Sequence, residues 1–67
     1  MNISIYKTSV TRESEIAVLT PFLNQLGEWN FDLDDCDKIL RIESNSDIAN
    51  IVIHLLTNNG FICKELI

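Results

Sequence analysis

Along Asn2–Lys7 apolar and polar positions alternate, with Ile3 and Ile5 on one side and Ser4 and Tyr6 on the other, the period of a half-buried strand. From Ile16 the period lengthens. Ile16, Leu19, Leu23 and Leu26 recur at helical spacing and Phe22 widens the stripe, which predicts an amphipathic helix running to about Leu26. Thr11 is the predicted cap, with Glu13 and Glu15 near the positive end of the helix dipole. Pro21 removes a backbone donor inside this run, so a kink or a restart capped by Thr20 is expected, and Gly27 marks the stop.

Alternation returns at Glu28–Leu33, with Trp29, Phe31 and Leu33 facing one way and Asn30 and Asp32 the other. Asp34-Asp35-Cys36-Asp37 reads as a polar turn, and Lys38–Ile42 continues as a strand with Leu40 and Ile42 on a common face. Ser44 and Asp47 have the spacing of a capping box ahead of a helical run from Ile48 to Asn58, which Gly60 terminates. The apolar residues of that run span an arc of roughly 200° on the wheel, wider than one sheet face needs, which leaves Ile53 or Ala49 at an edge open to a partner. Phe61–Ile67 closes the chain as a strand.

The order strand, helix, strand, strand, helix, strand predicts an α+β, ferredoxin-like βαββαβ sandwich, with two helices on one face of a four-stranded antiparallel sheet and residues 1–67 as a single domain. In that topology the first strand–helix loop, the hairpin around Asp34–Cys36 and the Asn59–Gly60 turn gather at one end. The open sheet face is expected to carry Ser4, Tyr6, Asn30, Asp32, Ile39, Arg41, Ile62 and Lys64.

With 46% hydrophobic and 22% charged residues in 67, the chain is a folded domain whose core supplies only a few kcal/mol of net stability. Ten acidic against five basic residues give a net charge of −5, which argues against phosphate-backbone binding. A sheet that stacks RNA bases needs central aromatics in basic surroundings, and one tyrosine in an acidic domain does not supply them. No apolar run approaches the roughly 20 residues that span a bilayer, and the expected setting is the cytoplasm, without membrane attachment. Cys36 and Cys63 then read as two reduced thiols.

Lys7-Thr8-Ser9-Val10-Thr11-Arg12-Glu13-Ser14-Glu15, the helix that follows, the Phe31-Asp32-Leu33 strand and Gly60-Phe61 before the last strand together resemble the heavy-metal-associated, copper-chaperone-like domain family over nearly the whole chain. Thr20-Pro21-Phe22-Leu23-Asn24 looks closest to small stand-alone bacterial members. The family implies binding of a soft cation by a Cys-x-x-Cys pair in the first loop and its handover to a partner. Here those two positions fall on Arg12 and Glu15. Metal transfer of that kind rests on thiolates, so the resemblance implies the fold without its usual metal site.

Other constellations read more plainly. Asp32 to Asp37 with Glu43 has the outline of a calcium loop, but Asp37 stands where the loop needs glycine and the flanks are strands. Aspartates around Cys36 disfavour its thiolate, and Cys63 beside Phe61 reads as a core residue. His54 lies on the polar arc of the second helix, without an acidic residue one turn away. The sequence thus predicts no catalytic residues and no cofactor. It predicts a non-enzymatic interaction or regulatory module with a protein partner or a weak homodimer. The alternative is a residual metal binder that uses Cys36, with Glu15 or an aspartate, or ligands from a second chain.

Overall fold

The computed structural model describes residues 2–34, 38–44 and 48–66. Its elements are β1 (Asn2–Thr8), α1 (Glu13–Leu23), β2 (Glu28–Asp32), β3 (Ile39–Ser44), α2 (Ala49–Asn58) and β4 (Cys63–Glu65). The strands form one antiparallel sheet in the order β2-β3-β1-β4, which with the two helices is the ferredoxin-like α+β arrangement.

Register decides which face of each strand is covered, because directly opposed residues of antiparallel strands point the same way. Trp29 opposes Ile42, which opposes Ser4, and Phe31 opposes Leu40, which opposes Tyr6. This row packs under the helices: Tyr6, Leu40 and Ile42 are fully buried with Val10, Leu19, Leu23, Val52 and Leu56, and Trp29 and Phe31 flank the cluster edge to face at 5.8 Å. β1 therefore sits the other way round from the sequence expectation. Ser4 and Tyr6 belong to the helix face, and Ile3, 52% exposed, belongs with Ile5 and Lys7 to the open face. The remaining open-face assignments, Asn30, Asp32, Ile39, Arg41 and Lys64, agree with the register.

Several local expectations also change. α1 passes through Pro21 without a break, and Thr20 does not cap: its hydroxyl donates back to the Ile16 carbonyl at 2.8 Å. The helix ends at Leu23, and residues 24–26 continue as tight turns in which Gln25 and Leu26 amides reach the Phe22 and Leu23 carbonyls. Phe22 is exposed together with Val18, while Ile16 and Leu26 pack partly against the core. α2 begins five residues after Ser44, with Ile48 in the N-cap place and no side-chain cap bond, so Ser44, the last residue of β3, is not its cap; Asp47 lies outside the described residues. On α2 the exposed apolar position is Ile51, whereas Ile53 packs partly against the core.

The two glycines do different work. Gly27, at φ +155°, lets the chain enter β2 against the backbone of β3: a methyl there would overlap the Glu43 carbonyl oxygen. Gly60, at φ +87°, has open space around it and closes α2 by conformation alone. Its amide donates to the Thr57 carbonyl at 3.0 Å and that of Phe61 to Leu56 at 2.9 Å, the paired bonds of a Schellman termination, and Phe61 folds back onto the core.

Candidate functional site

The described residues of the three loops predicted to share one end of the sheet meet there, Thr8 to Val10 beside Lys38 and Leu33 on one side and Ile62 on the other, and hydrogen bonds tie them together. Thr8, the last residue of β1, is buried; its hydroxyl donates to the Lys38 carbonyl at 2.7 Å and accepts the Val10 amide at 3.2 Å, so the buried oxygen is fully used. The Thr8 amide reaches the same Lys38 carbonyl at 3.2 Å. Lys38 takes a left-handed φ of +52° and returns its ammonium to the Leu33 carbonyl at 2.9 Å, bracing the hairpin side of this end. On the other side the Ser9 amide donates to the Ile62 carbonyl at 3.1 Å, and the Ile62 amide donates to Ser9 Oγ at 2.8 Å.

This double link holds Ile62 in a fixed place while leaving its side chain 73% exposed. Lys7, Thr8, Ser9, Ile62 and Lys64 line an open depression of about 260 Å³ around it. Across the end of the sheet, Glu13, Ile16, Phe31, Asp32, Leu33 and Asp34 line a second depression of about 300 Å³. The loop end is thus electrostatically split, with lysines around an exposed isoleucine on one side and carboxylates over a partly apolar floor on the other.

Arg12 and Glu15, the two positions that the resemblance sets in place of the cysteine pair, stand together at the start of α1, where they serve the helix. Arg12, not Thr11, occupies the N-cap, and its side chain has only donors, so it cannot cap. Glu15 does the work from within the first turn: its Oε1 accepts the Thr11 amide at 2.9 Å, the Arg12 amide at 3.1 Å and the Thr11 hydroxyl at 3.2 Å. The Thr11 amide bond is the main cause that holds the Glu15 carboxyl below its ordinary value of 4.5, and the Arg12 charge adds a smaller pull in the same direction. A carboxylate so engaged is the reciprocal half of a capping box.

Cys36 lies outside the described residues, as do Asp35 and Asp37 of the calcium-like run, whose flanks are the strands β2 and β3. Cys63 is half-buried against the core; burial, with Glu65 second, pushes its thiol up to about 11, which keeps it protonated and unreactive at neutral pH. His54 is exposed on α2. Among the described residues no three His, Cys, Asp or Glu side chains gather as a metal site would need, and no helix is long and apolar enough to cross a membrane. The sequence reading missed Thr8, Ser9 and Lys38, whose bonds join residues 30 and 53 positions apart and leave no local signal.

Comparison with protein-family models, with curated proteins and with solved structures found no match. The class this chain can be assigned is therefore the one its own fold defines: a small ferredoxin-like α+β domain.

Proposed function

We propose that this chain is a non-enzymatic interaction or regulatory module of the cytoplasm, descended from a heavy-metal-associated domain whose ligand positions have become Arg12 and Glu15, and that a protein partner docks on its loop end. The observation that carries this reading is Ile62. A large apolar residue that is 73% exposed, with its backbone held by two hydrogen bonds to Ser9 and with Lys7 and Lys64 on its flanks, is presented to a partner with little backbone entropy left to lose. The lysines suit an acidic rim around an apolar pocket in that partner. Glu15, the one carboxylate at a former ligand position, is committed to the cap of α1, which supports a structural role for that loop.

The test is comparative cross-linking of the whole chain in cell extract against two variants, Ile62→Asp at the loop end and Phe22→Asp on the outer face of α1. A partner retained by the parent chain and by Phe22→Asp, and lost by Ile62→Asp, is the expected result. A partner indifferent to Ile62→Asp overturns the assignment of the surface. Metal handling through Cys36 is the competing reading, and native mass spectrometry with Cu(I) and Zn²⁺ decides it: one metal per chain or per pair of chains, abolished by Cys36→Ser, would replace the interaction module with a metal binder.

A further inference from the structure

The open face of the sheet holds two cross-strand pairs that each place like charges directly opposite one another. Lys7 of β1 opposes Lys64 of β4, and Glu28 of β2 opposes Glu43 of β3. Like charges in direct register weaken a sheet in an isolated chain. The two pairs are of opposite sign and occupy diagonal corners of the face, the lysines near the loop end on the β1/β4 side and the glutamates near the far end on the β2/β3 side. Between them, along the other diagonal, run Ile3, Ile5 and Ile39.

We infer that this face binds a second copy of the chain, its sheet crossing the first at about a right angle, around a two-fold axis that follows the isoleucine diagonal. Strand and residue spacings set the angle. Lys64 lies about 7 Å to one side of the centre of the sheet and about 7 Å toward the loop end, and Glu28 lies about the same distances in the opposite senses. Turning one sheet over about the isoleucine diagonal exchanges these two corners, so each copy's lysines stand over the other's glutamates, in the orthogonal mode of sheet packing. A two-fold axis along the strands leaves Glu28 and Glu43 over the unopposed end of the face, and one across the strands sets carboxylates against carboxylates.

Both corners are concave, which gives long side chains room: Glu28, Trp29, Asn30, Arg41 and Glu43 line a depression of about 260 Å³, and the lysine corner is the depression around Ile62. The other charges of the face among the described residues are Arg41 at its centre and Asp32 at the outer rim on edge strand β2; both lie close to the axis, so each stands near its own copy, which weakens the contact. Strands of seven, five, six and three residues, at about 3.3 Å per residue and about 4.8 Å apart, give about 330 Å² per copy, or about 660 Å² in all, well below the roughly 1,200 Å² of a standard interface. The dimer is therefore weak, reversible and sensitive to salt. It shares Lys7, Lys64 and the depression around Ile62 with the loop-end surface, so the two occupants would compete for that corner, but it needs no foreign partner and is read by self-association of the pure chain, separately from the cross-linking test.

Sedimentation equilibrium of the whole chain at low salt, up to about 1 mM, a range suited to contacts of this size, tests it with charge exchange. The parent chain dimerises. Lys7→Glu/Lys64→Glu and Glu28→Lys/Glu43→Lys each weaken association at least about tenfold, a loss of about 1.4 kcal/mol. An equimolar mixture of the two regains or exceeds the parental affinity, because every corner again meets its opposite. Lys7→Glu/Lys64→Glu combined with Glu28→Lys/Glu43→Lys in one chain exchanges the corners and keeps the dimer, which tests the contact even where one double variant does not fold. A parent chain that stays monomeric, a dimer unmoved by either reversal, or a mixture no stronger than its components overturns the inference.

Discussion

The two faces of the sheet are built from the same strands and obey different rules. On the covered face the two central rows are mainly apolar, Trp29 with Ile42 and Phe31 with Leu40 and Tyr6, polar residues such as Ser4 and Glu65 entering only at their ends, and Tyr6 is accepted because its ring fills space beneath the helices. On the open face every row mixes charge with isoleucine: Glu28 and Glu43 with Ile3, Arg41 with Ile5, and Lys7 with Ile39. β1 shows how the choice is made. Its isoleucines are the more hydrophobic set, yet they face outward, because the strand is placed by the partners it must match on β3 and not by its own alternation.

The largest expected difference between the faces is energetic. Leu40→Ala, on the covered face, should cost about 2–5 kcal/mol, most of the stability of so small a domain, whereas Arg41→Ala one residue later should stay within about 0.5 kcal/mol. Urea unfolding of the two variants measures this, and equal losses would break the comparison.

Next come the glycines. Gly27→Ala should cost about 2 kcal/mol or more, since its methyl meets the fixed Glu43 backbone where β2 joins the sheet, and Gly60→Ala about 1 kcal/mol, since only the left-handed conformation opposes it. Thermal midpoints should rank parent, Gly60→Ala, Gly27→Ala.

A smaller effect belongs to the cap of α1. The Glu15 carboxyl is lowered in the folded state, so its contribution is complete above its ordinary value of 4.5 and is lost as pH falls through the lower folded value. Glu15→Gln should be less stable than the parent at pH 7, and the two should converge at the acid end of a pH series of unfolding measurements. A gap that persists unchanged in acid would assign the loss to something other than the carboxylate. The smallest effect is chemical: in the Cys36→Ser background Cys63, with its thiol pushed up to about 11, should react with a thiol reagent at pH 8 many times more slowly than the unfolded chain, a ratio readable from the labelling rates.

Much of this architecture was legible because helices and central strands announce themselves. Leu40 and Ile42 share a face in a period no helix has, Ile16, Leu19 and Leu23 share one in a period no strand has, and Gly60 ends α2 as its position implies. The orientation of β1 was not legible, since residues 2–7 offer two isoleucines on one side and a tyrosine on the other, and only pairing with Ile42 and Leu40 decides between them. The α1 cap was misplaced by one residue because Thr11 is a good capping side chain, while the cap is made from inside the helix by Glu15. Of the candidate site, the gathering of loops followed from topology, but the bonds from Thr8 to Lys38 and from Ser9 to Ile62 span the chain and have no local signature.

Both proposed surfaces rest on which way β1 faces, because Lys7, Ile3 and Ile5 reach the open face only if Tyr6 is inside. The most direct measurement is therefore urea unfolding of Tyr6→Ala beside Ile5→Ala, adjacent residues of one strand. The predicted result is that Tyr6→Ala loses about 3–5 kcal/mol and leaves the domain largely unfolded, while Ile5→Ala loses far less and keeps a cooperative transition. The reverse order would place Ile5 in the core, turn β1 over, and remove both the lysine corner and the isoleucine diagonal from the open face.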